Sequence, residues 1–484
     1  MVKTSTHTPN YIGASGVWPL LGGSEHAGDG VVIGMIDTGI DPKNPSFVSS
    51  NMSSQAKSPP AGFKGICRAG NRFPADSCNG KIVGARWFAR AAQESGEFNA
   101  TIHYASPYDS DGHGRLAIYK LPILWWILSD VIAAVDRGWC GCYSLSMAPS
   151  SVSPGPASFL NLLEYYNNNT VRDEVGNVVS FGATARILEG RHATYTGEAP
   201  VVADYSSRGP DVENSQLQPA EVLKPNVMAP GHLIWGAWSP TSDAMPEIRG
   251  ESYALLSGTS MAAPHVAGVA ALIKQRHPTW SPAMVMSAIM TSADAADRSG
   301  RPLMARGSEG SLDPATPFDM GAGAVNAARA MDPGLVFDAG YRDYLRFLCS
   351  VPGVDDAAVL RAVGAPCPLP PARAGAGAAA RWCSDLNSAS VTVASLVGSR
   401  RVERRVTSVG AENETYVAYV RAPEGVAVRV WPAEFAIAPG ATRTLRIVLN
   451  ATAPGARSAS ARWCSGATGS TASGSHSPST PPPS

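Results

Sequence analysis

The chain has 484 residues, 44% of them hydrophobic and 16% charged, the composition of an ordinary globular protein long enough for two or three cored domains. Its net charge is zero, which gives no electrostatic reason to expect a nucleic-acid or membrane-surface partner. The eight cysteines are scattered rather than set in C-x-x-C blocks, which argues against a zinc site, and no cofactor is expected.

In chain order, the first nine residues have no apolar core, so no signal peptide is expected there. Gly30 to Asp37 is a short continuous apolar run that ends in Asp-Thr-Gly, the pattern of a buried parallel strand carrying Asp37 out at its carboxyl end. In open α/β sheets the ligand crevice lies outside those ends, so an acid there is well placed for chemistry; a turn-capping role is the plainer alternative. Residues 48–108 are loop-rich, with one further strand expected over Lys81–Arg86 and a possible disulfide between Cys67 and Cys78. Cys140 and Cys142 are too close for an unstrained bond. Asp109 to Gly114 places His113 beside two acids, where a solvated loop histidine is the commoner outcome. The apolar run Leu116–Leu128 contains Lys120 and Pro122 and is too short to span a membrane. Asp130–Asp136 reads as an amphipathic helix and Tyr143–Met147 as a strand.

Ser257-Gly-Thr-Ser260-Met-Ala-Ala-Pro-His265 then runs into a stretch without a polar side chain between Val266 and Ile273. A helix apolar all round is a buried one, and Pro264 is expected in its first turn. Ser260 therefore falls at the N-terminus of a central helix, where free backbone N–H groups and the positive end of the dipole favour developing negative charge. Simple N-capping is the competing use of these hydroxyls. Ser281 and Pro282 mark the N-cap and first residue of another helix through Met290. Residues 350–390 are Ala/Gly/Pro-rich and read as a linker. Thr415–Arg421, Val426–Trp431 and Thr442–Leu449 are short alternating runs, giving a small β-sandwich over 391–455, and 456–484 reads as a disordered tail.

The Ser260 motif resembles the nucleophile motif of the subtilisin-like serine proteases, the subtilases. Val32–Asp41 resembles their aspartate motif, and Asp109–Gly114 their histidine motif. Asp37, His113 and Ser260 also follow one another in the order found in subtilisin. Val201–Pro210, Leu223–Gly231 and Asp332–Asp338 continue the likeness to plant-type members. The resemblance implies an α/β fold over residues 1–349, with a parallel sheet and helices on both faces, and a fibronectin-III-like sandwich after it. It implies hydrolysis of protein or peptide substrates by the Asp37–His113–Ser260 triad, with Ser146 and Met147 on the wall of the substrate cleft. It also implies an extracellular or cell-wall location, in keeping with glycosylation candidates at Asn51, Asn99, Asn168, Asn413 and Asn450.

The chain departs from the family pattern in several places. After His113 it reads Gly114-Arg115-Leu116 instead of the long helix that carries the histidine. Ala148 stands where the family has a glycine that lets substrate backbone approach. The Gly-Asn-x-Gly-Pro strand with the oxyanion asparagine is missing, as is most of the protease-associated insertion, whose remnant falls near 164–198. The usual prodomain is not found ahead of residue 1. These gaps imply a damaged catalytic domain. The alternatives are a working endopeptidase and an impaired remnant acting, if at all, as a binding module.

Overall fold

The computed structural model describes residues 8–35, 39–47, 63, 65–88, 93–94, 96, 105–109, 143–144, 168, 170–174, 178–181, 199–210, 221–241, 249–307, 310–368, 382–452, 457–461 and 464–467. Strand β1 (Gly34–Met35) pairs in parallel with β2 (Tyr143–Ser144), so part of the expected apolar run is in a parallel sheet, but it is not buried as expected: Met35 is 55% exposed. β3 (Thr170–Arg172) and β4 (Val178–Phe181) form an antiparallel pair. β5 (Val201–Val202) is parallel to β8 (Met304–Arg306), with β9 (Leu312–Pro314) added antiparallel. Between them β6 (Ile234–Ala237) and β7 (Tyr253–Leu256) make an antiparallel hairpin. The strand expected over 81–86 is reduced to a single bridge, Cys67 to Ala85, tied by the Cys67–Cys78 disulfide.

The helices begin with α1 (Thr8–Tyr11) and α2 (Ala14–Val17). The long α3 (Thr259–Arg276) follows, then α4 (Pro282–Thr291), α5 (Pro317–Met320) and α6 (Ala327–Ala330). Val269, Ala270, Leu272 and Ile273 of α3 pack with Val285, Ala288 and Ile289 of α4, Val17 of α2 and Ala327 of α6 in one apolar cluster. The all-round apolar middle of α3 is thus buried, as its composition requires. Pro264 differs from expectation. The helix starts at Thr259, so Pro264 is its sixth residue and cannot donate to the Ser260 carbonyl one turn earlier. Pro264 is exposed, so its ring takes up no room in the core. α4 follows the sequence reading closely: Ser281 Oγ accepts from the Met284 N–H at 3.1 Å, and Pro282 is the first helical residue.

The C-terminal part is all-β, but its limits differ from those read in the sequence. β10 (Leu335–Phe337) belongs to a four-stranded sheet with β12 (Ser399–Ser408), β16 (Thr442–Ala451) and β14 (Val426–Trp431), in the order β10-β12-β16-β14. The facing sheet orders β15 (Glu434–Ile437), β13 (Glu414–Tyr419) and β18 (Cys464–Ala467), while β11 (Val391–Ser395) pairs with β17 (Arg457–Ala461). Two stretches of the presumed tail are therefore strands, satisfied by backbone pairing rather than by apolar content. The stretch read as a linker contains α8 (Asp356–Val363), which follows α7 (Tyr341–Leu348). A Cys349–Cys367 disulfide and Val359, Leu345 and Cys349 close a small core there. Its Ala/Gly/Pro-rich remainder, 369–381, lies outside the described residues.

Candidate functional site

Ser260 is the second residue of α3 and is partly buried. A helix of this length presents several N–H groups at that end with no intrahelical acceptor, and the aligned peptide dipoles make it positive. The chain reaches the helix through a fixed turn. The Gly258 N–H donates to the Gly231 carbonyl at 2.8 Å, and the Met261 N–H donates back to the Gly258 carbonyl at 3.1 Å. A Cβ on Gly231 would lie 2.7 Å from the Gly258 oxygen and 3.2 Å from Ala262 Cβ, so glycine is needed for the two segments to touch.

Side chains brace the same turn. Ser257 Oγ accepts from the Leu233 N–H at 2.8 Å and lies 3.2 Å from His232 Nδ1. Tyr205 stacks on His232 and donates its hydroxyl to the Gly231 carbonyl at 3.0 Å. Burial pushes the Tyr205 phenol above its ordinary value, which keeps it a donor. Within α3, His265 Nδ1 donates to the Met261 carbonyl at 2.7 Å, and burial holds its imidazole below the usual range. Tyr205 and Ser257 lie in stretches that resemble the family, but nothing in the sequence shows that they and His232 brace this turn, because the contacts join distant segments.

The β6–β7 hairpin ties the flanks of the three motifs together. Asn44 Nδ2 donates to the Ser252 carbonyl at 2.6 Å, and Ser46 Oγ lies 3.0 Å from Tyr253 Oη. Both residues follow the Asp37 motif. On the other side Ile40 bridges in parallel to Tyr108, whose hydroxyl is 2.8 Å from Thr241 Oγ1. Ser239 Oγ donates to the Asp109 carbonyl at 2.8 Å. Strand β7 then runs directly into the turn before Ser260. Residues seven beyond Asp37 and four short of His113 are thus held against the hairpin that delivers Ser260. Asp37, His113, Ser146 and Met147 themselves lie outside the described residues.

Of the glycosylation candidates, Asn168 and Asn413 are exposed, Asn450 is half-buried in β16, and Asn51 and Asn99 lie outside the described residues. Cys349, Asp356 and Cys367 lie close enough to suggest a metal cluster, but both sulfurs are consumed by their disulfide.

Comparison with known proteins bears on the family of the chain and its domains. The subtilase family profile matches residues 148–323, and that of the fibronectin type-III domain matches residues 385–480. The chain is 31% identical to subtilisin-like protease SBT2.1 of Arabidopsis thaliana, covering 93% of this chain and 80% of the relative. Subtilisin-like protease SBT2.3 of the same plant is also 31% identical, over 93% of this chain and 79% of its own length. Subtilisin-like protease SBT3.9 is 41% identical over a shorter stretch, 48% of this chain and 28% of the relative. The first alignment runs over 671 positions, well beyond the 484 residues present here, so the relative carries long internal segments without a counterpart in this chain.

Proposed function

The chain belongs to the subtilisin-like serine protease family, and we propose that it hydrolyses peptide bonds through Asp37, His113 and Ser260. Ser260 Oγ attacks the scissile carbonyl carbon while His113 accepts its proton, then passes it to the leaving amine. Asp37 holds the imidazole tautomer and stabilises the imidazolium. Water then hydrolyses the acyl-enzyme ester. The observation that carries this reading is the position of Ser260: second residue of a buried 18-residue helix, reached through a turn with no room for a side chain at Gly231. The backbone N–H groups there are donors for the oxyanion. We further propose that the protein acts outside the cell as a glycoprotein. Two disulfides and the exposed sequons at Asn168 and Asn413 support this. Among the described residues no helix is long and apolar enough to cross a membrane.

A second reading is favoured by the 671-position alignment: an impaired protease that lacks segments its relatives use. In subtilisin itself, loss of the oxyanion asparagine costs roughly 10²–10³ in kcat. A base displaced by about 1 Å costs ~10²-fold. Labelling with a fluorophosphonate probe separates the two. The endopeptidase reading requires labelling that disappears in Ser260→Ala, and it fails if the folded chain takes up no probe. The impaired reading requires slow, incomplete labelling and is overturned by rapid stoichiometric reaction.

A further inference from the structure

The outer face of the four-stranded sheet carries a feature that neither folding nor peptide hydrolysis accounts for. Arg401 of β12, Val448 of β16 and Arg429 of β14 lie side by side in register, and the next row is Glu403, Arg446 and Trp431. With Asn450, Arg401, Arg429, Trp431, Arg446 and Val448 line a groove of about 480 Å³. Side chains from the opposite face of these strands, Val402, Ile447 and Leu449 among them, supply the core, so none of the groove residues is needed for packing. Trp431 is nonetheless 65% exposed, a large apolar ring at the end of the sheet's edge strand. Arg446 stands over it, 5.5 Å from the ring centre.

We propose that this face binds an acidic polysaccharide, with sugar rings stacked on Trp431 and uronate carboxylates held by Arg401, Arg429 and Arg446. An exposed indole offers a flat apolar platform with a polar edge, which suits the faces of pyranose rings. Guanidinium forks match carboxylates in planar, bidentate geometry. Arg401 and Arg429 stand two strands apart, roughly 10 Å, so they grip separate residues of one extended chain. Among the described residues β14 is the edge strand of this sheet, so Trp431 stands at its border.

Glu403, beside the lining residues in the same row as Arg446 and Trp431, sharpens the choice of ligand. Glu403 sits 2.6 Å from Arg401 and 3.5 Å from Arg446. It aligns those two cations while leaving Arg429 without an ion-pair partner among the described residues. A carboxylate in that position repels any anion set against it, phosphate or uronate alike, but accepts hydrogen bonds from sugar hydroxyls that lie between the charges, as the amide oxygen of Asn450 also does. A uronate polymer fits this mixture better than a nucleic acid, and a neutral glycan would leave the arginines unused.

The binding does not depend on whether Ser260 reacts. Electrophoresis of the full chain through gels containing unesterified polygalacturonate tests it, with neutral dextran and oligothymidylate gels alongside. Retardation is expected in polygalacturonate alone, weakening as salt is raised. Arg429→Ala and Trp431→Ala should each reduce affinity by about tenfold. Arg429→Lys, which keeps the charge but loses the fork, should fall between Arg429→Ala and the unmodified chain. Unchanged thermal unfolding confirms that these surface variants are folded. Equal retardation by dextran, stronger retardation by oligothymidylate, or variants that bind like the unmodified chain would overturn the proposal. So would loss of binding after enzymatic removal of N-glycans, since attached sugar and not the groove would then be responsible.

Discussion

The α3–α4 core and the seam under the C-terminal sandwich are both buried, yet they are held by different physics. In the core, small and branched apolar side chains interdigitate: Val269, Ile273 and Ala288 are at most 1% exposed and bring no polar atom that needs a partner. In the seam, two arginines are buried. Arg404 is 2% exposed and donates to the carbonyls of Ser388, Glu403 and Ser390. Burial lowers its guanidinium to about 10, with Asp385 acting in the opposite direction. Arg400 donates to Glu221 Oε2 at 3.0 Å and Ser384 Oγ at 2.6 Å and lies over the Trp382 ring. Glu221 also accepts from the Ser384 and Ala394 N–H groups. The core is stabilised by removing surface from water. The seam is tolerated because its two guanidiniums are matched, Arg400 to Glu221 and Ser384 and Arg404 to three carbonyls.

Single substitutions should therefore cost most in the seam. Arg400→Met leaves the Glu221 carboxylate nearly buried with two amide donors and no cation, a loss of about 3–5 kcal/mol. Replacing both partners, Glu221→Gln with Arg400→Met, should recover most of that loss. Chemical unfolding followed by circular dichroism checks both. In the core, Ile273→Val removes one methylene from a completely buried site and should cost ~0.5–1.5 kcal/mol. If Arg400→Met proved milder than Ile273→Val, the seam would not be held by its charges.

The same contrast explains what could be read in the sequence. α4 was legible to within a residue because Ser281 and Pro282 are local signals and its helix needs no distant partner. β14 was legible in full and β13 and β16 nearly so, because their inward positions are apolar. The ten-residue β12 was not. Its inward positions are Arg400, Val402, Arg404, Val406 and Ser408, so the alternation is there but three of the five are polar. Glu221, some 180 residues earlier, supplies the carboxylate that makes Arg400 an interior residue. β17 and β18 were hidden for a related reason, since ladder pairing rather than hydrophobicity creates them. At the site, Ser260 and its helix were evident from composition. The bracing by Tyr205, His232 and the β6–β7 hairpin depends on contacts between distant segments.

The smallest expected effect tests whether the core is as free of polar demands as its composition suggests. Half-buried His265, beside that core, is the one titratable group on α3 between Ser260 and the helix's basic last turn, and burial lowers its pKa from the ordinary 6.5 despite the hydrogen bond to Met261. As pH falls, the unfolded chain therefore takes up this proton before the folded one does. Stability from the neutral imidazole is fully present above about 6.5 and is lost as pH drops toward the lower folded value. His265→Gln removes the titration while keeping a helix-compatible side chain. Between pH 7.5 and 5 the melting temperature of the unmodified chain should fall further than that of the variant, with the difference opening below pH 6.5. Parallel curves would mean that the imidazole is hydrated in solution, and that α3 is less tightly covered near Ser260 than in its Val269–Ile273 segment.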